Sequence, residues 1–341
     1  MNALTVLGPV PAETLGIALP HEHLVFDFRD YFEPPTTAAG WQLAQLPVSL
    51  GVLGSLRFDP FLLLDNMLHN DIDLTVQELR EFTALGGRTV VDPTNVSIGR
   101  DPLALQAIAR ATGLNIIMGS GYYFEISLGE TFRARTLDSV TAEIIRDVTV
   151  GVNGTGVRAG LIGEIGTSSP VTENEEKSLR ASSRAQAQTG APLMIHLNGW
   201  QREGEKVLDI IEEEGGDLTK TILCHMNPSW MDLDYQRRLG ERGAYLEYDM
   251  MGMTYEYPPN KLCPDDSVTV GAIKQLIDDG FLERILMSQD IFLKSQFKRY
   301  GGIGFTHVFT TLRTQYERLG IGEGDLATIS TKNPQRILAF M

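Results

Sequence analysis

The chain has 341 residues, 43% hydrophobic and 21% charged, an ordinary globular balance that can bury a large core and argues against extended disorder. Its 44 acidic against 29 basic residues give a formal net charge of −15, and no cluster of Lys and Arg offers a footprint for nucleic acid. No apolar run reaches the roughly 20 residues that span a bilayer, the N-terminus lacks a secretory signal pattern, and two cysteines, Cys224 and Cys263, fit unpaired thiols in a reducing compartment, so a soluble, cytoplasmic protein is expected that meets neither membrane nor nucleic acid.

Short apolar runs recur along the chain, each ending in polar residues and followed by a helical pattern, as in a parallel sheet buried on both faces. Strands are expected at 17–24, 89–94, 115–119, 160–166, 192–197, 221–225, 244–249 and 284–290. This βα order predicts an α/β fold, a (β/α)8 TIM barrel formed by a single domain, residues 1–341. The stretch from about Phe28 to Asp73 is too long for an ordinary βα connection and reads as an insertion after the first strand, a lid or rim element. Its aromatics, Phe28, Tyr31, Phe32, Trp41, Phe58 and Phe61, either pack the insertion onto the barrel or wall a substrate pocket.

Helix signals fall between the strands. Asp101-Pro102 reads as an N-cap and first-turn proline opening a helix to about Thr112, ended by Gly113. Helices follow at 137–150, 203–214, 232–242 and 268–279. Thr172-Glu173-Asn174-Glu175 has the capping-box form, before a long polar helix that stops at Gly190, and Asn333-Pro334 starts a last short helix.

Polar residues gather where the strands end: His21 and His23 on the first, Glu164 on the fourth, His196 on the fifth, His225 on the sixth and Asp290 on the eighth. In a parallel barrel these ends open on one face, where catalytic groups of this fold are carried. Residues two apart on a strand share a side, so His21 and His23 can present both imidazoles to one ion while Glu22 points out. His69, in the insertion, and His307, after the eighth strand, are read as solvated or capping residues. A carboxylate shared by two divalent ions holds them about 3.5–4 Å apart, the spacing of two-metal hydrolases. Glu164 is the candidate bridge, with His21, His23 and Asp290 completing one ion's set and His196 and His225 the other's. Zinc suits these nitrogen and oxygen ligands best, with manganese, iron or cobalt as alternatives. Asp290 is placed to take a proton from the bridging water and pass it to the leaving group.

These motifs resemble the phosphotriesterase-related family of the amidohydrolase superfamily, in its resiniferatoxin-binding-like branch. The likeness runs from Leu19-Pro20-His21-Glu22-His23-Leu24 nearly to the C-terminus, through Gly163-Glu164-Ile165-Gly166, His196, His225, Leu246-Glu247-Tyr248-Asp249, and Asp290 followed by Tyr300-Gly301-Gly302. It implies a (β/α)8 barrel and a binuclear hydrolase whose metal-bridging hydroxide cleaves a small amide, ester or lactone, one that carries negative charge. Phosphotriesterases and related lactonases keep a carboxylated lysine where this chain has Glu164, which makes true phosphotriesterase or lactonase activity the alternative. A metal-containing protein that binds a small molecule without turnover is a further one. Tyr123 matches a tyrosine that lactonase relatives keep near the metals, which implies hydrogen bonding to the hydroxide or substrate. After His196 the run Leu197-Asn198-Gly199-Trp200 departs from a Pro-Gly-Arg run frequent in the branch, implying altered specificity. Lys294 is expected at the mouth of the site as the recognition group for an anionic substrate, and the oligomeric state is left open, with a homodimer allowed.

Overall fold

The apolar runs do form parallel strands, several of them ending before the run does: Ile17–Leu19, Gly87–Asp92, Asn115–Met118, Ile162–Gly166, Leu193–His196, Thr221–Leu223, Tyr245–Tyr248 and Ile285–Met287. The computed structural model describes residues 1–257 and 261–341. Strands one to three form one parallel ladder and four to eight another, each in chain order. Backbone hydrogen bonds close both seams. Gly160 N–H donates to Met118 O at 3.0 Å and Gly163 N–H to Ser120 O at 2.6 Å between strands three and four; Asp290 N–H donates to His21 O at 3.2 Å and His23 N–H to Ile291 O at 3.0 Å between eight and one. The result is a (β/α)8 barrel with a long insertion after its first strand.

Side-chain alternation divides the core in two. Val91, Ile117, Met194, Ile222 and Leu286, from five different strands, pack with one another, with Ala3 of the N-terminal hairpin and with Ile337 and Leu338 at the end of the chain. Their chain neighbours Val90, Ile116, Leu193, Ile195 and Leu223 belong instead to the layer shared with the helices. The first set fills the barrel, as expected for a packed barrel interior. Helix ends follow their signals. The Asp101 carboxylate accepts from the Leu103 and Ala104 amides, and Thr172 and Glu175 form the reciprocal box at the head of Glu173–Thr189, which Gly190 ends at φ 72°. One helix begins earlier than its apolar pattern, Asp266–Asp278, because Asp265 caps it.

Glu22 does turn away from its histidine neighbours, but into the protein rather than out of it. Fully buried, its carboxylate accepts from Ser288 Oγ at 2.8 Å, from Gln289 N and Nε2 at 2.9 and 2.6 Å, and from Ile291 N at 2.8 Å. Burial nonetheless pushes the carboxyl up to about 7. One side chain from the first strand's end thereby holds the whole end of the eighth.

The insertion contains the short helices Ala38–Ala44 and Leu53–Leu56 and a small core of Val48, Val52, Leu56 and Leu63. Both readings of its aromatics apply, to different residues. Phe28, Tyr31 and Phe61 line the cavity described below, Phe32 packs on Trp41 with centroids 5.7 Å apart, and Phe58 is 71% exposed.

Two histidines depart from expectation. His307 is buried, with Nε2 2.6 Å from Asp266 Oδ2. His69 is buried where the pair Phe26–Asp27 and Leu68–His69 ties the insertion to the barrel, and its Nε2 lies 2.7 Å from Thr75 Oγ1. Neither is solvated, because each sits at a junction where a chain segment returns over the barrel. Burial, reinforced by the Lys294 cation, pushes the His69 imidazole down to about 4. It is therefore neutral in the folded protein at neutral pH, while the unfolded chain takes up its proton below about pH 6.5. The stability it contributes is complete above that pH and is lost as pH falls toward 4. His69→Gln keeps a donor for Thr75 and removes the titration. Its unfolding free energy is expected to fall by roughly 3 kcal/mol less than the parent's on acidification from about pH 7 to 4. Urea melts across that range check this, and equal losses in both proteins would assign the acid sensitivity elsewhere.

Candidate metal centre

The strand ends bring six of the sequence-predicted residues together: His21, His23, Glu164, His196, His225 and Asp290. They fall into two groups close enough to hold an ion each, His21 with His23 and Asp290, and Glu164 with His196 and His225. Glu164 lies between them. Its Oε1 is 3.2 Å from His23 Nε2, and its Oε2 is 3.5 Å from His21 Nε2, 2.8 Å from His196 Nδ1 and 3.8 Å from His225 Nε2. Asp290 Oδ1 is 3.6 Å from His21 Nε2 and 3.3 Å from His23 Nε2.

Local backbone explains how short strands deliver these groups. His225 and Asp290 sit at φ 60° and 49°, the left-handed region that costs a non-glycine residue roughly 1–2 kcal/mol. Both lie just past the last residues of the sixth and eighth strands, Leu223 and Met287, where the chain turns and both side chains meet over the end of the barrel; strain of this kind collects at functional sites. Gly163, in the run that carries Glu164, admits no side chain: at φ 132° a Cβ would lie 2.4 Å from Met194 O.

Three imidazoles are held from behind so that Nε2 faces the centre. His21 Nδ1 lies 3.1 Å from Glu247 Oε2 and 3.2 Å from Asp249 Oδ2, His225 Nδ1 2.8 Å from Asp249 Oδ1, and His23 Nδ1 2.7 Å from Thr94 Oγ1. Cys224 Sγ–H donates to Glu247 at 3.2 Å, so His21, Cys224, Glu247 and Asp249 form a hydrogen-bonded floor beneath the site. Such partners fix ring orientation in metal sites.

Electrostatics also favours a cation. Burial opposes charge on His23 and His225, yet the neighbouring carboxylates prevail: Asp290 and Glu164 push His23 up to about 9, and Asp249 pushes His225 up to about 10. Burial likewise opposes a charged Glu164, but His21 and His196 hold its carboxyl well below the usual range. His196 goes the other way, lowered by burial and by His225 beside it. Two buried atoms at the centre, His21 Nε2 and Asp290 Oδ1, have no hydrogen-bond partner, which costs about 1–3 kcal/mol each when nothing takes them up. Imidazole and carboxylate donors around two unpartnered atoms fit divalent cations.

Above this centre opens a cavity of about 240 Å³ with His23, His196, His225 and Asp290 on its lining. Tyr123 is among its walls as expected, with its hydroxyl 2.9 Å from His196 Nδ1. Gly166 makes room for it, since a Cβ there would come within 2.5 Å of Tyr123 C. Lys294 is not at the mouth. Its Nζ lies 2.5 Å from Asp65 Oδ1 of the insertion, the anion its flexible stem reaches first, and it does not line the cavity. Among the described residues the cation that does is Lys261, whose Nζ stands 5.6 Å from the Trp200 ring centroid. Sequence reasoning missed Lys261 because it follows prolines in a segment without periodicity. It also missed Thr94 and Asn198, of which only the departure at Leu197-Asn198-Gly199-Trp200 signalled the second, whereas Tyr31 was among the insertion aromatics expected to wall a pocket. Among the described residues no helix is long and apolar enough to cross a membrane.

The chain is similar to known proteins along nearly its whole length. The sequence profile of the Phosphotriesterase family matches residues 1–338. The chain is 36% identical over 341 residues to an N-acetyltaurine hydrolase of Danio rerio, covering 98% of this chain and 97% of that one. It superposes with TM-score 0.97 and 46% identity on a resiniferatoxin-binding protein from Rhodobacter sphaeroides, covering 99% and 94% of the two chains. With the phosphotriesterase homology protein of Escherichia coli the TM-score is 0.79 at 26% identity, over 96% of this chain and 99% of that one. With a full-length profile match and a relative this similar over nearly its whole length, the chain belongs to the phosphotriesterase family.

Proposed function

We propose that this hydrolase cleaves the amide bond of a small N-acyl compound with an anionic tail, the whole chain acting as one cytoplasmic domain. In this reading His21, His23, Glu164 and Asp290 hold one divalent ion and Glu164, His196 and His225 a second, with zinc the assigned metal on its imidazole and carboxylate donors. The observation that carries the proposal is Asp290 Oδ1, a buried carboxylate oxygen without a partner, on a residue that lines an aromatic-walled cavity. When bound, the ion pair supplies Lewis acidity, bringing water to hydroxide near neutral pH and polarising the carbonyl oxygen.

The chain's own groups do the rest. Asp290 takes the proton lost as the water oxygen bonds to the acyl carbon and gives it to the nitrogen as the C–N bond breaks, leaving a carboxylic acid and an amine. Tyr123 holds its hydroxyl beside His196, within reach of substrate oxygen. Phe28, Phe61 and Phe292 are apolar wall, which keeps bulk water from the reacting atoms. Lys261 offers the charge that an anionic tail needs in so acidic a protein. Amide cleavage is preferred over other bonds because the N-acetyltaurine hydrolase relative aligns over nearly its full length. Binding without turnover is the second reading, favoured by the name of the Rhodobacter sphaeroides neighbour.

The deciding experiment strips the protein with a chelator and returns zinc in bicarbonate-free buffer. Two ions per chain and hydrolysis of N-acetylated aminosulfonates or amino acids are expected, with turnover in Asp290→Asn down by about 10²–10⁴. Tight binding of these compounds with no hydrolysis would replace the enzyme by the binding protein, and a need for bicarbonate would exclude Glu164 as the bridge.

Asp249→Asn weakens the grip on two imidazoles at once. Zinc affinity, measured by chelator competition, is expected to drop about 10–100-fold, the usual effect of losing such a support; an unchanged affinity would make Asp249 dispensable to metal holding. Lys261→Met is expected to raise KM for an anionic amide several-fold and to leave a neutral amide of the same size unchanged. Equal effects on both would deny it a charge-reading role.

A further inference from the structure

Two polar atoms in the cavity wall are buried and have no hydrogen-bond partner: the hydroxyl of Tyr31 and Oδ1 of Asn198. They come from unrelated elements, the insertion and the loop after the fifth strand. Tyr31 is fixed by stacking on Phe61, with centroids 5.3 Å apart and planes at 22°, and by the edge of Tyr123 at 6.2 Å. Asn198 is fixed by its backbone, whose carbonyl accepts from Gln201 N–H at 2.9 Å. Neither atom lies among the six residues of the metal centre. An atom of this kind loses its water on folding and regains nothing within the chain, so the bond it lacks is one that a ligand can supply.

The two atoms are opposite in kind. Oδ1 of an asparagine only accepts, whereas a tyrosine hydroxyl can donate. A secondary amide carries the matching pair, one N–H and one C=O, while an ester or lactone carries the carbonyl alone. We infer that Asn198 and Tyr31 are specificity-determining residues that recognise the scissile amide: Asn198 Oδ1 accepts from its N–H, and the Tyr31 hydroxyl donates to its oxygen. The inference deepens the proposed amide hydrolysis and rests on it for the bond cleaved. It assigns the choice of amide over ester to Asn198, because an ester leaves that buried acceptor unmet, and a site built to bond a substrate N–H discriminates strongly against the analogue that lacks it. Tyr31 acts on both substrate classes alike, since both keep the oxygen.

The test compares N-acetyltaurine with the acetyl ester of isethionate, which differ only in N–H against O. In the zinc-loaded enzyme, Asn198→Leu is expected to lower kcat/KM for the amide tenfold or more and to leave the ester within a factor of about two, whereas Tyr31→Phe lowers both by similar factors. The same comparison is made on binding alone, by calorimetry in an Asp290→Asn background where turnover is slowed about 10²–10⁴-fold. There Asn198→Leu weakens the amide selectively. This readout stands even if the parent hydrolyses neither compound, so failure of the hydrolase reading and failure of this one are separable. Equal losses for amide and ester in Asn198→Leu, in turnover or in binding, would overturn the role of Asn198, and an unchanged Tyr31→Phe would overturn that of Tyr31. Should Asn198→Leu not fold, Asn198→Ala removes the same acceptor and is read the same way.

Discussion

Closing the barrel is the constraint on which everything else depends, and one buried carboxylate does much of it. Glu22 draws four donors from the end of the eighth strand, and its neighbours on either side are the two histidines of the first strand. A single stretch of chain therefore both zips the seam and sets His21 and His23 opposite Asp290. A buried carboxylate with satisfied acceptors is tolerable; stripped of them it would carry a desolvation cost of several kcal/mol. Seam closure and centre geometry thus rise or fall together, because Asp290 N–H is itself one of the seam's hydrogen bonds, to His21 O at 3.2 Å.

Around that seam the charges are arranged in depth. Glu164 and Asp290 face the cavity side, while Glu247 and Asp249 lie beneath the imidazoles, every one of them buried. So much negative charge in a low-dielectric space needs positive charge to balance it. The raised affinity of His23 and His225 for protons registers that demand, and divalent ions would meet it more fully. Asp249 spans both halves, touching His21 through one oxygen and His225 through the other, so the two groups are not independent.

Much of this could be read from the sequence, for physical reasons. Apolar runs ending in His, Glu or Asp report strands buried on both faces whose ends open on a common edge, and the six residues that cluster there were found that way. The strand ends were less legible: the left-handed turns at His225 and Asp290 leave no compositional trace, since glycine, the usual marker, is absent there. Long side chains were read worst. The reach of Lys294 to Asp65 spans 229 positions in the sequence, and nothing local distinguishes it from Lys261, which does line the cavity. His69 and His307 were misplaced for the same reason, since burial at a junction depends on which segment returns over the residue.

The two kinds of residue differ in how firmly they are held. The six clustered side chains stand at barrel strand ends, and the imidazoles of His21, His23 and His225 are braced from behind by Glu247, Asp249 and Thr94. The walls that face a substrate belong to the insertion and to loops, where the chain makes fewer obligatory bonds and tolerates change. Substituting Asn198 or Lys261 disturbs no seam, whereas substituting Glu22 disturbs all that the barrel positions. The backbone is nearly superposable on that of the Rhodobacter sphaeroides protein, at TM-score 0.97, although the two sequences are 46% identical. Under the proposed amide hydrolysis, the bond chosen for cleavage is set in the cavity wall, by atoms that the rest of the protein leaves unpaired.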